Sequence, residues 1–432
     1  MSQIKGSSAD QPTNAPLGAL HDIRVLDLTQ ALAGPFCTSL LGDQGAQIIK
    51  VEPARGDMIR YAGPFAKDAK THDFGNVFQN ANRNKRSLVL DLKSAEGQEV
   101  LLRLVAQADV LVENFSSGVM ERLGLDYERL SAINPKLVYT SIRGFGDKVG
   151  GESPYGHWPA FDIVAQAMGG LMSITGKNEN SNVRVGSGVG DTVPGLYAAF
   201  GTMAALLEAK SSGRGQYVDV AMVDAVLAVS EVVVNTYDAT GVSPQPMGNE
   251  LRGFAPFNTV AVKDGEVALG APHNPQWSKL CTIMGREELI TDPRFDSDLK
   301  RWNNKTEVYE IVEAWTSQYT RAELTEILGG KVPLGPVLNA EAIFADPHFA
   351  ARQMLCEVEN PRTGRPARIT GPAVKLGRTP ASIRHRAPLL GEHSREVLLE
   401  AGLSDAEINR LVEVGATTIN EEQVLIKESA VR

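Results

Sequence analysis

The stretch VGSGVGDTVPGLYAAFGTMAALLEA holds the pattern with the most chemical content. The three glycines of GSGVG lead directly into Asp191, which begins an otherwise apolar helical run. A carboxylate at a helix N-terminus meets unpaired N–H groups and the positive end of the helix dipole, which favour its ionised form by about 0.3–1 kcal/mol. Two readings stay open on this pattern. Asp191 is an ordinary N-cap, or it is an ionised nucleophile. In the second reading the glycine loop admits another backbone and offers N–H groups to an oxyanion.

Other common site chemistries are absent. The first strand-like run ends in TQALAGPFCT, with a single Gly34 ahead of Pro35. It therefore lacks the Gly-x-Gly-x-x-Gly loop that lets a backbone approach a dinucleotide pyrophosphate. There is no Walker A sequence and no HExxH motif, and the seven histidines form no ligand-spaced cluster, so no metal site is expected. Cys37, Cys281 and Cys356 are odd in number and widely spaced, which fits neither a disulfide framework nor a zinc site. A reducing compartment, the cytoplasm, is the expectation.

The elements around Asp191 read as an α/β domain. IRVLDLT (23–29), AQIIKVE (46–52), RSLVLDL (86–92), DVLVENF (109–115), LVYTSIRGF (137–145) and QYVDVAM (216–222) are apolar runs predicted to be strands. Helices are predicted from Pro35, over 95–107, over 191–210 and as one long element over 223–241. Strands separated by helices imply a mainly parallel sheet covered on both faces. Beyond residue 241 the texture changes: a hairpin is predicted at Asp264-Gly265, helices near 275–284, 304–318 and 321–329, a β-like region over 355–376, and two final helices at 391–401 and 404–413. The expected organisation is a disordered leader (1–16), a large α/β domain (17–225), a linker (226–245), a small α+β domain (246–375) and a linker with C-terminal helices returning to the large domain (376–432).

With 432 residues, 43 Lys+Arg and 52 Asp+Glu, the chain has a formal net charge of −9. That balance argues against a nucleic-acid or anionic-membrane partner. No apolar run approaches the ~20 residues that span a bilayer. The polar N-terminus lacks the apolar stretch of a signal peptide.

Taken together, the motifs identify a relationship. From about residue 17 to 415 the chain resembles the family III CoA-transferases (CaiB/BaiF family), whose members include formyl-CoA transferase and succinate–hydroxymethylglutarate CoA-transferase. The resemblance is carried, in order, by VLDLTQALAGPFCTSLLGDQGAQIIKVE, NRNKRSLVLDLK, DVLVENFSSGVMERLGLDY, DIVAQAMGGLMSITG, GDTVPGLYAAFGTMAALLEAKSSGRGQYVDVAMVDA and APLLGEHSREVL. It implies a Rossmann-like large domain with a parallel sheet, a smaller α+β domain and an interlocked homodimer. Asp191 is then the nucleophile, and CoA passes from an acyl-CoA donor such as succinyl-CoA to a small carboxylic or dicarboxylic acid without ATP, metal or a tightly bound cofactor.

The same resemblance implies that Ala31 and Leu32 lie beside the thioester end. Lys85, Arg86, Arg122 and Arg143 would line the CoA groove, with Asn114 and Phe115 beside the adenine and pantetheine. Some positions depart from the family pattern. Leu32 replaces a glutamine found in several relatives, and Pro53 stands where the formyl enzymes have an arginine, with Arg55 nearby. GNELRGFAPFNTV has no GGGGQ run, so the chain is more similar to transferases of succinyl and related groups. Two alternatives are a 2-methylacyl-CoA racemase of the same fold and a catalytically inert CoA-binding paralogue. The racemase needs a histidine just before Asp162, where the chain has Phe161; His157 lies four residues earlier.

Overall fold

The structure, a computed structural model, describes residues 18–420. The expected leader over residues 1–16 lies outside the described residues. The chain forms two units: one of residues 18–171, 185–231 and 350–420, the other of Met172–Arg184 and Val232–Phe349.

The larger unit is built on six strands, β1 (Arg24–Asp27), β2 (Gln47–Glu52), β3 (Lys85–Val89), β4 (Val110–Glu113), β5 (Val138–Arg143) and β6 (Tyr217–Ala221). They lie in the order β3-β2-β1-β4-β5-β6, and every neighbouring pair is parallel. This is a doubly wound, Rossmann-like order whose strand sequence reverses between β1 and β4, the place where such sheets bind ligands. All six predicted strands are present.

Side-chain alternation explains why the sheet is covered twice. Leu26 and Leu111 face one apolar cluster, shared with Leu101, Leu104, Leu398 and Ile408 of the Ala95–Val105, Ser394–Glu400 and Asp405–Glu413 helices. Val25, Val110 and Val112 face the other, shared with Cys37, Leu41, Ala198 and Leu206 of the Ala33–Asp43 and Val189–Ser212 helices. A fully buried Leu or Ile such as Leu398 or Ile408 contributes roughly 1.5–3 kcal/mol, so the C-terminal helices are anchored to the large unit by their own apolar faces.

The smaller unit carries an antiparallel sheet of β7 (Phe257–Val262), β8 (Gly265–Gly270) and β9 (Leu334–Pro336). Trp277, Phe295, Val308 and Leu324 pack with Val267 into its own core. Its hairpin turns at Lys263-Asp264, one residue before the predicted turn, because Val262 pairs with Gly265.

The boundaries differ from the sequence expectation. The hairpin of β10 (Leu355–Glu359) and β11 (Pro366–Thr370) was assigned to 246–375 but belongs to the larger unit. There Gln79 Nε2 donates to Glu359 O (2.9 Å) and Thr370 Oγ1 to Asn80 Oδ1 (2.8 Å). The predicted long helix over 223–241 is two helices, Met222–Val229 and Val232–Thr240, interrupted where one unit gives way to the other. Among the described residues no helix is long and apolar enough to cross a membrane.

Candidate active site

At the point where strand order reverses, the turn after β1 meets the residue after β4. Gln30 N donates to Asn114 Oδ1 (2.9 Å), and Asn114 Nδ2 donates to Gln30 O (2.8 Å). The next residue, Ala31, has φ +62°. For a residue with a Cβ this left-handed conformation costs about 1–2 kcal/mol. Its N–H donates to Asp57 Oδ1 at 3.0 Å. Leu32 follows at the head of the Ala33–Asp43 helix.

Asp191 approaches this turn from the Val189–Ser212 helix. Gly188 is the N-cap, so Asp191 is the third helical residue and not the cap that one of the two sequence readings made it. Its half-buried carboxylate accepts no hydrogen bond from the described residues. Gly190 N instead donates to Asp162 Oδ1 (2.8 Å), which also accepts from Gln166 Nε2 (2.8 Å). A Cβ on Gly190 would lie 2.3 Å from Asp162 O, so only glycine allows this approach. A Cβ on Gly188 would lie 2.9 Å from Leu32 Cδ2 and 3.8 Å from Asp191 Oδ2. Leu32, the glycine loop and the carboxylate therefore share one wall.

Burial first, and then the negative charge of Asp162, push the Asp191 carboxyl up to about 6. It still ionises near neutral pH, yet no protein donor blunts it. The N–H groups of Val189, Gly190 and Asp191 already have acceptors. Those of Gly186, Ser187 and Gly188 have none among the described residues and are the loop donors left for an oxyanion.

The expected groove cations separate sharply. Lys85 is fully buried and gives its three N–H groups to Asp27 Oδ2 (2.8 Å), Asn82 Oδ1 (2.9 Å) and Pro35 O (3.0 Å), so none remains for a phosphate. Arg86 is the second residue of β3, at the amino edge of the sheet, and is held by Glu396 and Glu400 (2.7 Å each). Arg143 does end β5 at the carboxyl edge, but it is buried against Glu113 (3.2 Å) and Asp147 (2.7 Å). At these three positions carboxylates within the protein already neutralise the cation. Arg122, in the short helix Val119–Arg122, is exposed and has no carboxylate partner among the described residues. Phe115 is half-buried against the core beneath it, and the Asn114 amide is committed to Gln30.

Sequence reasoning missed Asp57 and Lys50. Both are fully buried, their charged atoms 2.9 Å apart, and Lys50 Nζ donates to Thr29 O (2.8 Å) in the same turn. The available signal was the lysine in QIIKVE: a charge inside a strand buried on both faces must find a partner.

Comparisons with known proteins place the chain in a family. The model of CoA-transferase family III matches residues 20–394. Succinyl-CoA:mesaconate CoA-transferase of Haloarcula hispanica is 43% identical over 387 residues, 90% of this chain and 97% of the relative. Succinyl-CoA–D-citramalate CoA-transferase of Chloroflexus aurantiacus is 36% identical over 400 residues, 92% of this chain and 97% of the relative. The crystal structure of a CaiB/BaiF family protein from Brucella suis matches with a TM-score of 0.79 at 35% identity, covering 89% of this chain and 100% of that one. The chain belongs to CoA-transferase family III and is a CoA-transferase.

Proposed function

We propose that this enzyme moves CoA from succinyl-CoA to a small dicarboxylic acid through an aspartyl-CoA thioester on Asp191. One observation carries the reading: a half-buried carboxylate, unpaired by protein and shifted up to about 6, stands in the first turn of a helix beside the strand-reversal point. The relatives named for succinyl-CoA:mesaconate and succinyl-CoA–D-citramalate transfer support the donor and acceptor class.

Asp191 attacks the thioester carbonyl, the C–S bond breaks, and CoA thiolate leaves a mixed anhydride. The thiolate then attacks the aspartyl carbonyl and expels the donor as a carboxylate. The acceptor carboxylate attacks the resulting aspartyl-CoA, and the released thiolate captures the acceptor acyl group and frees Asp191. One thioester replaces another, so the sequence runs without ATP. Each tetrahedral oxyanion gains ~3 kcal/mol from one well-placed donor, and the amides of Gly186–Gly188 are the candidates. Ala31 and Leu32 would face the thioester, with Asn114, Phe115 and Arg122 toward the rest of CoA.

An α-proton racemase is the weaker reading. The residue before Asp162 is Phe161, which is 60% exposed and carries no exchangeable side-chain proton. The interlocked homodimer is part of the proposal. On the Val189–Ser212 helix, Leu196, Phe200, Met203 and Leu207 form one exposed apolar row, with Phe200 and Leu207 73% and 74% exposed. Rows of that kind mark interaction surfaces. A sedimentation mass equal to one chain would remove this part. The cytoplasm is the proposed location. Loss of transfer in Asp191→Ala, with CoA affinity retained, tests the whole reading; transfer at a comparable rate would end it.

A further inference from the structure

We propose that Asp57, with Lys50 as its partner, is a positioning residue for CoA transfer: it holds the left-handed turn at Ala31 that sets Leu32 against the Asp191 carboxylate. This inference rests on the reading of Asp191 as the nucleophile.

The turn after β1 is gripped by side chains at successive backbone groups. Asp27 Oδ1 accepts from Thr29 N (2.9 Å), and Lys50 Nζ donates to Thr29 O (2.8 Å). Asn114 takes both backbone polar groups of Gln30, and Asp57 Oδ1 accepts from Ala31 N (3.0 Å). Asn114 works from the β4 side and Asp57 from the β2 side. Asp57 is itself immobilised, because its N–H donates to Glu52 Oε1 (3.0 Å) and its Oδ1 also accepts from Ile59 N (3.2 Å). Glu52 in turn binds Arg60 (2.8 and 2.6 Å) and Ser87 Oγ (2.7 Å). A buried polar chain thus runs from β3 through β2 to the Ala31 amide.

A purely architectural need does not explain this arrangement. A glycine would take the left-handed conformation without the cost of a Cβ, and an apolar pair would fill the space of Lys50 and Asp57. Strained residues persist where surrounding structure over-determines them, and they cluster at working sites. Here the strain has a visible consequence: it fixes the direction in which the chain enters Leu32, whose side chain abuts Gly188 next to Asp191 Oδ2. If Ala31 relaxes, Leu32 leaves the carboxylate, the thioester loses its wall, and water reaches the acyl intermediates.

The test is a mutant cycle over Asp57 and Ala31, read on transfer and on hydrolysis of succinyl-CoA without acceptor. Asp57→Ala, which removes the acceptor of the Ala31 N–H, is expected to lower kcat roughly tenfold to a hundredfold, the scale of an ångström-level misplacement, and to leave the KM for succinyl-CoA within about threefold. Hydrolysis relative to transfer rises severalfold. In an Ala31→Gly background the same substitution costs markedly less kcat, because glycine reaches the turn conformation unaided. Equal losses in both backgrounds, a loss confined to KM, or a kcat within threefold of the parent would overturn the proposal. Should Asp57→Ala fail to fold, the readouts are taken on Lys50→Met/Asp57→Ala, which leaves no unpaired buried charge. Retained transfer in Asp191→Ala would remove the nucleophile reading, while the Asp57–Ala31 coupling on kcat would stand or fall separately.

Discussion

Two regions of the large unit bury carboxylates and treat them in opposite ways. Beneath the turn after β1, Asp27 and Asp57 are sealed from water together with Lys50 and Lys85, and each finds an opposite charge within 2.9 Å. Burial works against ionising Asp27, but Lys85 and Lys50 overcome it and hold its carboxyl well below the usual range. In the first turn of the Val189–Ser212 helix, Asp191 is less deeply buried and finds no partner, so burial and the charge of Asp162 push it upward. Paired charges hold a backbone in place, whereas an unpaired carboxylate keeps its lone pairs for substrate. A motif containing charged residues does not reveal which of these two fates it meets.

Removing one partner from the first region is expected to have the largest effect on stability. Lys85→Ala leaves Asp27 buried without its counter-charge, and the unfolding free energy should fall by about 3–5 kcal/mol. The KM for acyl-CoA measured on the folded fraction should stay within about twofold; a tenfold rise at unchanged stability would return Lys85 to the CoA groove.

A smaller effect separates the exposed cation from the committed one. Arg122→Ala should raise the KM for acyl-CoA about tenfold, the scale of one charge-assisted contact to phosphate. Arg86→Ala should change it by less than about twofold, since Arg86 faces Glu396 and Glu400 at the other edge of the sheet. Reversed magnitudes in steady-state kinetics would break the comparison.

The subtlest effect is on pH dependence. A nucleophilic Asp191 would attack only when ionised, so on the proposed mechanism kcat/KM should fall as pH drops below about 6. A neighbouring negative charge raises a carboxyl pKa, so neutralising it lowers the pKa. Asp162→Asn keeps an oxygen for Gly190 N–H, and the acid limb should move to lower pH. A profile flat down to pH 5 in the parent enzyme would contradict the shifted carboxylate.

The sheet was legible in the chain because each strand is a short apolar run bounded by turn residues, and all six lie within a few residues of their predicted ends. Less local features were hidden. Spacing left Asp191 open between a helix cap and a nucleophile, and only the resemblance chose; the partner that takes the Gly190 N–H, Asp162, comes from another helix and gave no local signal. The resemblance put Lys85 and Arg86 in the CoA groove by their place in a motif, and a motif does not say which carboxylates of the folded chain its cations meet. The Ala31 conformation was invisible too, since alanine carries no turn signal and the groups that impose it, Asp57 and Lys50, come from other segments. The hairpin of β10 and β11 was misassigned because the bonds joining it to Gln79 and Asn80 span nearly three hundred residues.

The central claim is a covalent bond between substrate carbon and the Asp191 side chain. The enzyme is incubated with succinyl-CoA, quenched with hydroxylamine and mapped by peptide mass spectrometry. The account predicts a hydroxamate on Asp191 and on no other residue. A hydroxamate on a different side chain, or none while CoA exchange proceeds at full rate, would contradict it.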